Sequence, residues 1–320
     1  EAAEAFARAL SLTGNPSSVH AEGRAARAAI DTARDQVAAL VGASARDVIF
    51  TSGGTEACAL ALSPGFRRLD DPRADSVLLA GAAEHVCVLE GHRFPRDRVR
   101  VAAVDGDGRL DLGSLETLLD EAGEARAVLA LQVANNETGA IQPLAEAAAL
   151  VRLRGGLVFA DAVQAAGRIP CDIKALGADA LALSAHKLGG PKGVGALVLA
   201  SDVYAVEGLV RGGGQERGRR AGTENVAGIV AFGAAAEAAR RDLTADAARM
   251  KTMRDAIEAH VRRLSPDAVV FSAGCERLPN TVGFAVAGLK AETALIAFDL
   301  AGVAVSSGSA CSSGKVRRSH

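Results

Sequence analysis

The sequence lacks the features that would place it in a membrane or on nucleic acid. It contains no run of 18 uninterrupted apolar residues, so it predicts no membrane-spanning helix. The formal charge is -2 and no long basic run is present, which argues against binding to nucleic acid or to an anionic membrane surface. The first residues, EAAEAFARAL, do not show the pattern of a signal peptide, and we therefore expect a cytoplasmic protein.

The sequence also lacks the cysteine spacing of a disulfide framework or a zinc site. Its five cysteines are odd in number, widely scattered and never spaced as CxxC: Cys58, Cys87, Cys171, Cys275 and Cys311. We expect reduced thiols, most of which act as small buried hydrophobic residues. No metal site is predicted.

Apolar runs that resemble strands alternate with helical patterns over most of the 320 residues. The predicted strands are DVIFT (47–51), SVLLAG (76–81), AVLALQVA (127–134), GLVFADA (156–162), ALALSA (180–185) and VGALVLA (194–200). Predicted helices between them include residues 55–62, 113–122 and 144–153. Continuous apolar strands alternating with helices predict an α/β fold with a mostly parallel, doubly wound sheet.

The pattern changes after the glycine-rich segment RGGGQERGRRAGTEN. An alanine-rich helix is predicted over 226–241, then a helix over 247–264, strands over 268–274 and 280–288, a helix over 292–300 and a strand over 303–307. We therefore predict a large domain over 11–241 and a smaller α+β domain over 242–320, with a soft boundary.

Polar residues follow the predicted strands at the edge where open α/β sheets bind their ligands. SGGTEA follows the first strand and offers two glycines and a threonine at the start of a helix, as an anion site requires. The other residues at these strand ends are Glu84 and His85, Asn135 and Asn136, Asp161 and Gln164, and His186 and Lys187.

This set matches the needs of pyridoxal phosphate, which requires a lysine, a carboxylate at its ring nitrogen, phosphate donors and a flat group against the ring. Of the six lysines, Lys187 directly follows a buried strand on the expected edge, where burial would favour its neutral amine, and Lys192 is a weaker second candidate. Each feature also has a purely structural explanation: SGGTEA as a tight turn and Asp161 as a helix cap. Their co-occurrence at successive strand ends favours the cofactor.

A dinucleotide site at the glycines of 190–195 is rejected because they lead into a strand rather than a helix.

The ordered motifs resemble those of the cysteine desulfurases of the NifS and IscS type, which belong to the class V aminotransferase group of fold-type I pyridoxal phosphate enzymes. The resemblance runs from GNPSSVH (14–20) to the end of the chain. Its motifs are SGGTEA, EH (84–85), NNETGAIQP (135–143), DAVQAAGRIP (161–170), SAHKLGGPKGVGAL (184–197), GGGQERGRRAGTEN (212–225) and SSGSACSSG (306–314).

The resemblance implies a role for each residue around the cofactor ring. Lys187 would form the Schiff base with the cofactor aldehyde, and Asp161 would pair with the pyridine nitrogen. Gln164 would bond the ring hydroxyl, and His85 would stack on the ring and move protons. Asn136 would contact both the cofactor and the substrate.

The resemblance also implies a phosphate site that two subunits share. Thr55, Ser184 and His186 would bind the phosphate, with Gly54 contributing its backbone. Thr223 would reach the phosphate of the neighbouring subunit, so the enzyme is expected to be a homodimer.

The implied reaction converts L-cysteine to L-alanine and leaves a persulfide on the enzyme. Asn15 would bind the substrate carboxylate, and the thiolate of Cys311 would attack the substrate sulfur. The SSGSAC form resembles the group that serves NifS or IscS pathways, which implies an iron-sulfur scaffold of the NifU or IscU kind as sulfur acceptor.

The chain departs from the family pattern at both ends. It opens without the segment that usually precedes GNPSS and stops at SGKVRRSH, before the C-terminal helices and the arginine that commonly binds the substrate carboxylate. An incomplete substrate site is therefore expected, with Arg219 and Arg220 as remaining candidates for anion contacts.

Two other functions remain open. One is a selenocysteine lyase or another class V aminotransferase, although Cys311 argues against an aminotransferase. The other is a non-catalytic component of sulfur assembly.

Overall fold

The computed structural model describes residues 1–308, so Cys311 lies outside the described residues. The helices are α1 (Ala2–Ala9), α2 (Ala21–Leu40), α3 (Gly54–Ala61), α4 (Val86–Leu89), α5 (Leu112–Ala122), α6 (Leu144–Leu153), α7 (Val226–Leu264) and α8 (Ala291–Leu300). The strands are β1 (Val48–Thr51), β2 (Arg67–Arg68), β3 (Ser76–Gly81), β4 (Val99–Ala102), β5 (Arg126–Gln132), β6 (Leu157–Asp161), β7 (Ala180–Ser184), β8 (Gly195–Leu199), β9 (Tyr204–Ala205), β10 (Val269–Val270) and β11 (Phe284–Ala285). Short 3-10 helices cover Ala45–Asp47, Arg96–Arg98, Ala185–Lys187 and Gln215–Gly218.

A seven-stranded sheet organises the chain, with the strand order β1-β8-β7-β6-β5-β3-β4. Only β8 runs antiparallel to its neighbours in this sheet, so the predicted α/β fold with a mostly parallel sheet is confirmed. The carboxyl ends of β1, β3, β5, β6 and β7 consequently lie at one edge of the sheet.

Both faces of the sheet are buried because successive side chains of each strand point to opposite sides. In β5, Val128 and Ala130 pack on the face that α3 and α4 cover, whereas Leu129 and Leu131 pack on the face that α2, α5, α6 and α7 cover. The continuous apolar strands in the sequence reflect this double coverage.

The six predicted strands of the sheet are present, with bounds that differ by at most two residues at either end. The edge strand β4 was missed, since its sequence VRVA is short and interrupted by an arginine, and so were the two-residue strands β2 and β9. Residues 303–307, predicted as a strand, form none in the structure. The helices α1 and α2, which pack against α7, were not predicted.

The predicted helices over 226–241 and 247–264 are a single helix of 39 residues, α7. The intervening residues contain neither glycine nor proline, so nothing in their backbone interrupts the helix. The first half of α7 buries apolar residues such as Ile229 and Phe232 against the sheet core, whereas the second half buries Arg254 and Glu258. The domain boundary near residue 242 therefore falls inside a continuous helix, and the division into two domains stays a prediction.

Among residues 1–308, no helix combines the length and the apolar character needed to cross a membrane.

Candidate active site

The sheet edge brings together the residues that follow its parallel strands. Gly54 and Thr55 begin α3 directly after β1, His85 follows β3 and caps α4, Asp161 ends β6, and Lys187 follows β7. Residues Asn136 and Gln164, both half-buried, lie in the loops after β5 and β6. Every one of these positions was predicted, and their chemical roles remain predictions.

Asp161 is the central carboxyl group of this edge and is 8% exposed. Its Oδ1 accepts a hydrogen bond from the backbone N–H of Val163 at 2.9 Å, and its Oδ2 lies 3.9 Å from Cys58 Sγ. Burial raises the pKa of Asp161 to about 6, and the Cys87 sulfur acts in the same direction. The positive charges of His85 and Lys187 oppose that shift, so both groups lie near enough to the carboxyl to interact with it.

His85 is held in place by the start of α4. Its Nδ1 accepts a hydrogen bond from the backbone N–H of Cys87 at 3.2 Å, which satisfies one of the free amides at that helix end. The Cys58 thiol, by donating to the Cys87 sulfur, and the His85 side chain both lower the pKa of Cys87. The same contact, together with complete burial, raises the pKa of Cys58 well above its usual range.

Sequence reasoning did not assign Cys58 and Cys87 to the site, because each was interpreted as a small buried hydrophobic residue. Both are buried, but their sulfur atoms face each other and the Asp161 carboxyl group. The available signal was that Cys58 and Cys87 each stand two positions after a strand-end motif, SGGTE and EH respectively.

Glu84 places a second carboxyl group next to this cluster and is 5% exposed. Its Oε1 accepts a hydrogen bond from the backbone N–H of Gln132 at 2.9 Å, whereas its buried Oε2 has no hydrogen-bond partner among the described residues. Burial, followed by the charges of Asp161 and Cys87, raises the pKa of Glu84 well above its usual range. The protonated, neutral form of Glu84 is therefore favoured, so Glu84 does not add a negative charge to those of Asp161 and Cys87.

An anion site is built where α3 begins. The first intrahelical bond runs from Ala57 N–H to the Gly53 carbonyl, so the three amides before it have no partner within the helix. A Cβ on Gly54 would lie 2.7 Å from Val163 Cγ2, which shows how closely the turn packs on the loop after β6. Glycine is needed there to keep that approach.

Ser184 and His186 supply side-chain groups from the end of β7. Ser184 Oγ lies 2.9 Å from His186 Nδ1, and the added Cβ of Gly54 would lie 3.4 Å from Ser184 Cβ. Burial and the charges of Lys187 and Lys192 lower the pKa of His186, which favours its neutral form. Together with the amides of α3, these groups form a donor set suited to a phosphate.

Lys187 ends the 3-10 helix that follows β7 and is half-buried. Its backbone carbonyl accepts a hydrogen bond from Arg168 Nη2 at 2.8 Å, which fixes the segment that carries the amine. Lys187 thus reaches the edge from a short, anchored turn. Lys192, the second candidate, lies in the following loop.

Two further predicted site residues, Asn15 and Thr223, are exposed. Asn15 is exposed in the turn before α2, where its Oδ1 accepts a hydrogen bond from Ser17 N–H at 2.9 Å. Thr223 is exposed and lines a cavity of about 170 Å³ together with Ser52 and Gly193. Arg220 lines the same cavity and pairs with Glu56, the third residue of α3, at 3.0 Å.

Comparison with known proteins gives consistent matches over nearly the whole chain. The sequence model of the family described as aminotransferase class V matches residues 3–319. A cysteine desulfurase of Cereibacter sphaeroides is 41% identical over 317 residues, which cover 96% of this chain and 78% of that protein. The cysteine desulfurase IscS of Dictyoglomus turgidum is 37% identical over 310 residues, which cover 96% of this chain and 77% of that protein. Among solved structures, a NifS-like protein from Rickettsia africae superimposes with a TM-score of 0.89 at 33% identity, covering 96% of this chain and 84% of that one.

Proposed function

The chain belongs to the aminotransferase class V family, and we propose that it is a pyridoxal phosphate-dependent cysteine desulfurase that converts L-cysteine to L-alanine and passes the sulfur to an acceptor. Its relatives at about 40% identity are cysteine desulfurases. The observation that carries the proposal is the convergence of Lys187, Asp161 and His85 on the sheet edge where α3 presents its free amides.

The residues present fit the cofactor. The amides of α3, with Ser184 and His186, would hold the phosphate, and the close packing of Gly54 on Val163 leaves the backbone rather than a side chain at that position. Buried Asp161 would face the ring nitrogen, where a positive charge would favour the ionised carboxylate despite its burial. Gln164 and Asn136 would bind the ring hydroxyl and the substrate.

Pyridoxal phosphate, when bound, supplies an electron sink for the pair left at the substrate Cα. Lys187 would hold the cofactor covalently and, once the substrate amine replaces it, accept the Cα proton at Nζ. His85 would stack on the ring and move protons. Asn15 would orient the substrate carboxylate.

Cys311 would complete the transfer as a thiolate. Its sulfur bonds to the substrate sulfur, the bond between Cβ and that sulfur breaks, and the electron pair remains with the carbon product, which gains a proton and leaves as alanine. The sulfur would remain as a persulfide on Cys311. An iron-sulfur scaffold of the NifU or IscU kind is the acceptor that we propose.

A homodimer completes the proposed phosphate site. Thr223 is exposed at a cavity beside the start of α3 rather than buried within its own subunit, and this supports a contact with the neighbouring subunit's phosphate. A cytoplasmic location stays a prediction of the sequence.

The test is the release of alanine and sulfide from L-cysteine with an added thiol reductant, with the visible spectrum recorded. Equal amounts of both products are expected, and both Lys187→Ala and Cys311→Ala should abolish them. Only Lys187→Ala should lose the cofactor absorbance. Lys192→Ala and Cys275→Ala are the matched controls and should retain turnover.

A chain that binds the cofactor but forms no alanine would contradict the desulfurase assignment, and an amino-group acceptor screen would then test the aminotransferase alternative. Comparing L-selenocysteine with L-cysteine separates a selenocysteine lyase from a desulfurase.

A further inference from the structure

Two thiols and a carboxyl group meet at the buried end of the site. Cys58 lies in α3, Cys87 in α4, and Asp161 at the end of β6, so three elements of the scaffold position them. The two Sγ atoms and a carboxylate oxygen of Asp161 all lie within 4.8 Å of one another. The exposed fractions are 0% for Cys58, 9% for Cys87 and 8% for Asp161. We call these three residues the thiol-carboxylate cluster.

The separations are close to those of a tetrahedral metal site. With bonds of about 2.3 Å to sulfur and 2.0–2.2 Å to oxygen, neighbouring ligand atoms around zinc stand roughly 3.5–3.8 Å apart. Cys58 Sγ lies 3.9 Å from Asp161 Oδ2, and the remaining pairs stay below 4.8 Å. Shifts of a few tenths of an ångström to about 1 Å, within reach of side-chain rotation, would give the ligand geometry.

Neighbouring groups also favour a cation at this position. Glu84 interacts electrostatically with Cys87 and Asp161, and its buried Oε2 has no hydrogen-bond partner among the described residues. A buried oxygen of this kind carries a cost, and a bound dication would favour the ionised form of Glu84 and offset that cost. The His85 side chain also interacts with Cys87 and lowers the pKa of that thiol, which favours the thiolate that a metal ion requires.

We propose that Cys58, Cys87 and Asp161 form a binding site for a thiophilic divalent cation of the zinc type in the cofactor-free chain. Two sulfurs and one oxygen suit zinc, and three protein ligands leave one position for water. Binding exchanges water ligands of the ion for the two thiolates and the carboxylate, and the two thiol protons pass to solvent. A disulfide between the two cysteines would need an oxidant and would not involve the carboxylate.

The metal would compete with pyridoxal phosphate, since both need Asp161; this consequence rests on the proposed function. In the cofactor-free chain the metal would then have to dissociate before the cofactor binds. The metal site itself stands on the geometry of the cluster alone.

The test titrates cobalt(II), a spectroscopic substitute for zinc, into the full chain after removal of the cofactor, with a phosphine reductant that keeps the thiols reduced. Sulfur-to-cobalt charge-transfer absorption should saturate at about one equivalent per chain, as one bound ion requires. Cys58→Ser and Cys87→Ser should each weaken binding by at least about tenfold and reduce the absorption per ion. Cys171→Ser, a buried thiol elsewhere in the core, and Cys311→Ser are the matched controls and should bind as the unaltered chain does.

Circular dichroism of each variant shows whether it is folded. Asp161→Asn preserves the shape of the side chain and both thiols, and it should weaken cobalt binding as the two cysteine variants do. Unchanged absorption in both Cys58→Ser and Cys87→Ser, or its loss in Cys311→Ser, would overturn the proposal. Because the readout is metal binding without turnover, failure here is distinct from failure of the desulfurase assay.

Discussion

Substituting Gly195 by alanine should disturb the anion site, because Gly195 lies in the strand between β1 and β7 and against the turn before α3. Gly195 begins β8 and pairs with Thr51 of β1 and Ser184 of β7. An added Cβ would lie 2.6 Å from the Leu183 carbonyl oxygen and 2.7 Å from the carbonyl carbon and Cα of Gly53. All three are backbone atoms, so no side chain can rotate away, and the strand must separate from the turn before α3.

The size of the effect follows from these distances. Ordinary contact begins near 3.4 Å, so the backbone must open by about 0.7–0.8 Å. Overpacking of this kind costs about 1–3 kcal/mol, which corresponds to a fall in melting temperature of roughly 1.5–4.5 °C for a chain of this size. Because Gly53 immediately precedes the free amides of α3, the same movement should weaken one hydrogen bond to a phosphate, a loss of about 1.5–3 kcal/mol or roughly 10–100-fold in cofactor affinity.

Two measurements check this prediction: thermal unfolding followed by circular dichroism, and titration with pyridoxal phosphate followed by absorbance. Gly106→Ala is the matched control, since Gly106 is exposed and an added Cβ there has no atom within 4 Å. If Gly195→Ala melts like this control and binds the cofactor with unchanged affinity, the packing argument is refuted.

Three further predictions concern pH, a buried ion pair and the dimer. The pKa of Asp161 is raised from 3.8 to about 6, so the folded, cofactor-free chain is more stable while this carboxyl group is protonated. About 3 kcal/mol of the free energy of unfolding is therefore lost as pH rises from about 4 to 6. Urea unfolding should therefore show a smaller loss between pH 4.5 and 7 in Asp161→Asn, and an equal loss in both chains would contradict the shift. Glu216→Gln should destabilise by about 3–5 kcal/mol in denaturant unfolding, because it breaks a buried pair with Arg34 at 2.7 Å, whereas removal of an exposed surface pair should leave the midpoint unchanged. In a mixed dimer of Thr223→Ala with Lys187→Ala, one of the two sites contains an unaltered Lys187 from one subunit and an unaltered Thr223 from the other. That site should bind the cofactor with unaltered affinity, and mixtures that bind no better than Thr223→Ala alone would argue against a shared phosphate site.

Much of the fold was predictable because the sheet is buried on both faces. Continuous apolar runs such as ALALSA are typical of strands covered on both faces, and six of the seven strands of the sheet were found. The edge strand β4 was missed, since a strand with one exposed side carries a weaker apolar signal. The predicted break before residue 247 was wrong, because polar residues without glycine or proline do not by themselves end a helix.

The candidate site was predictable to the extent that it consists of strand-end residues. A parallel sheet brings its carboxyl ends together, so the order of Gly54, His85, Asp161 and Lys187 along the chain already implied their common edge. The thiol-carboxylate cluster could not be found in this way. Its cysteines are 29 positions apart in the numbering and belong to different helices, and the absence of CxxC spacing pointed away from any metal site.

The sequence by itself determined the fold class, the family and the edge at which the chemistry is proposed, because periodicity and strand-end motifs are local properties of the chain. Only the tertiary structure decided which side chains face one another beneath that edge. Contacts between α3, α4 and β6 depend on how the helices pack on the sheet. That packing set the burial of Asp161, the pairing of Cys58 with Cys87 and the Glu84 oxygen that has no hydrogen-bond partner within residues 1–308.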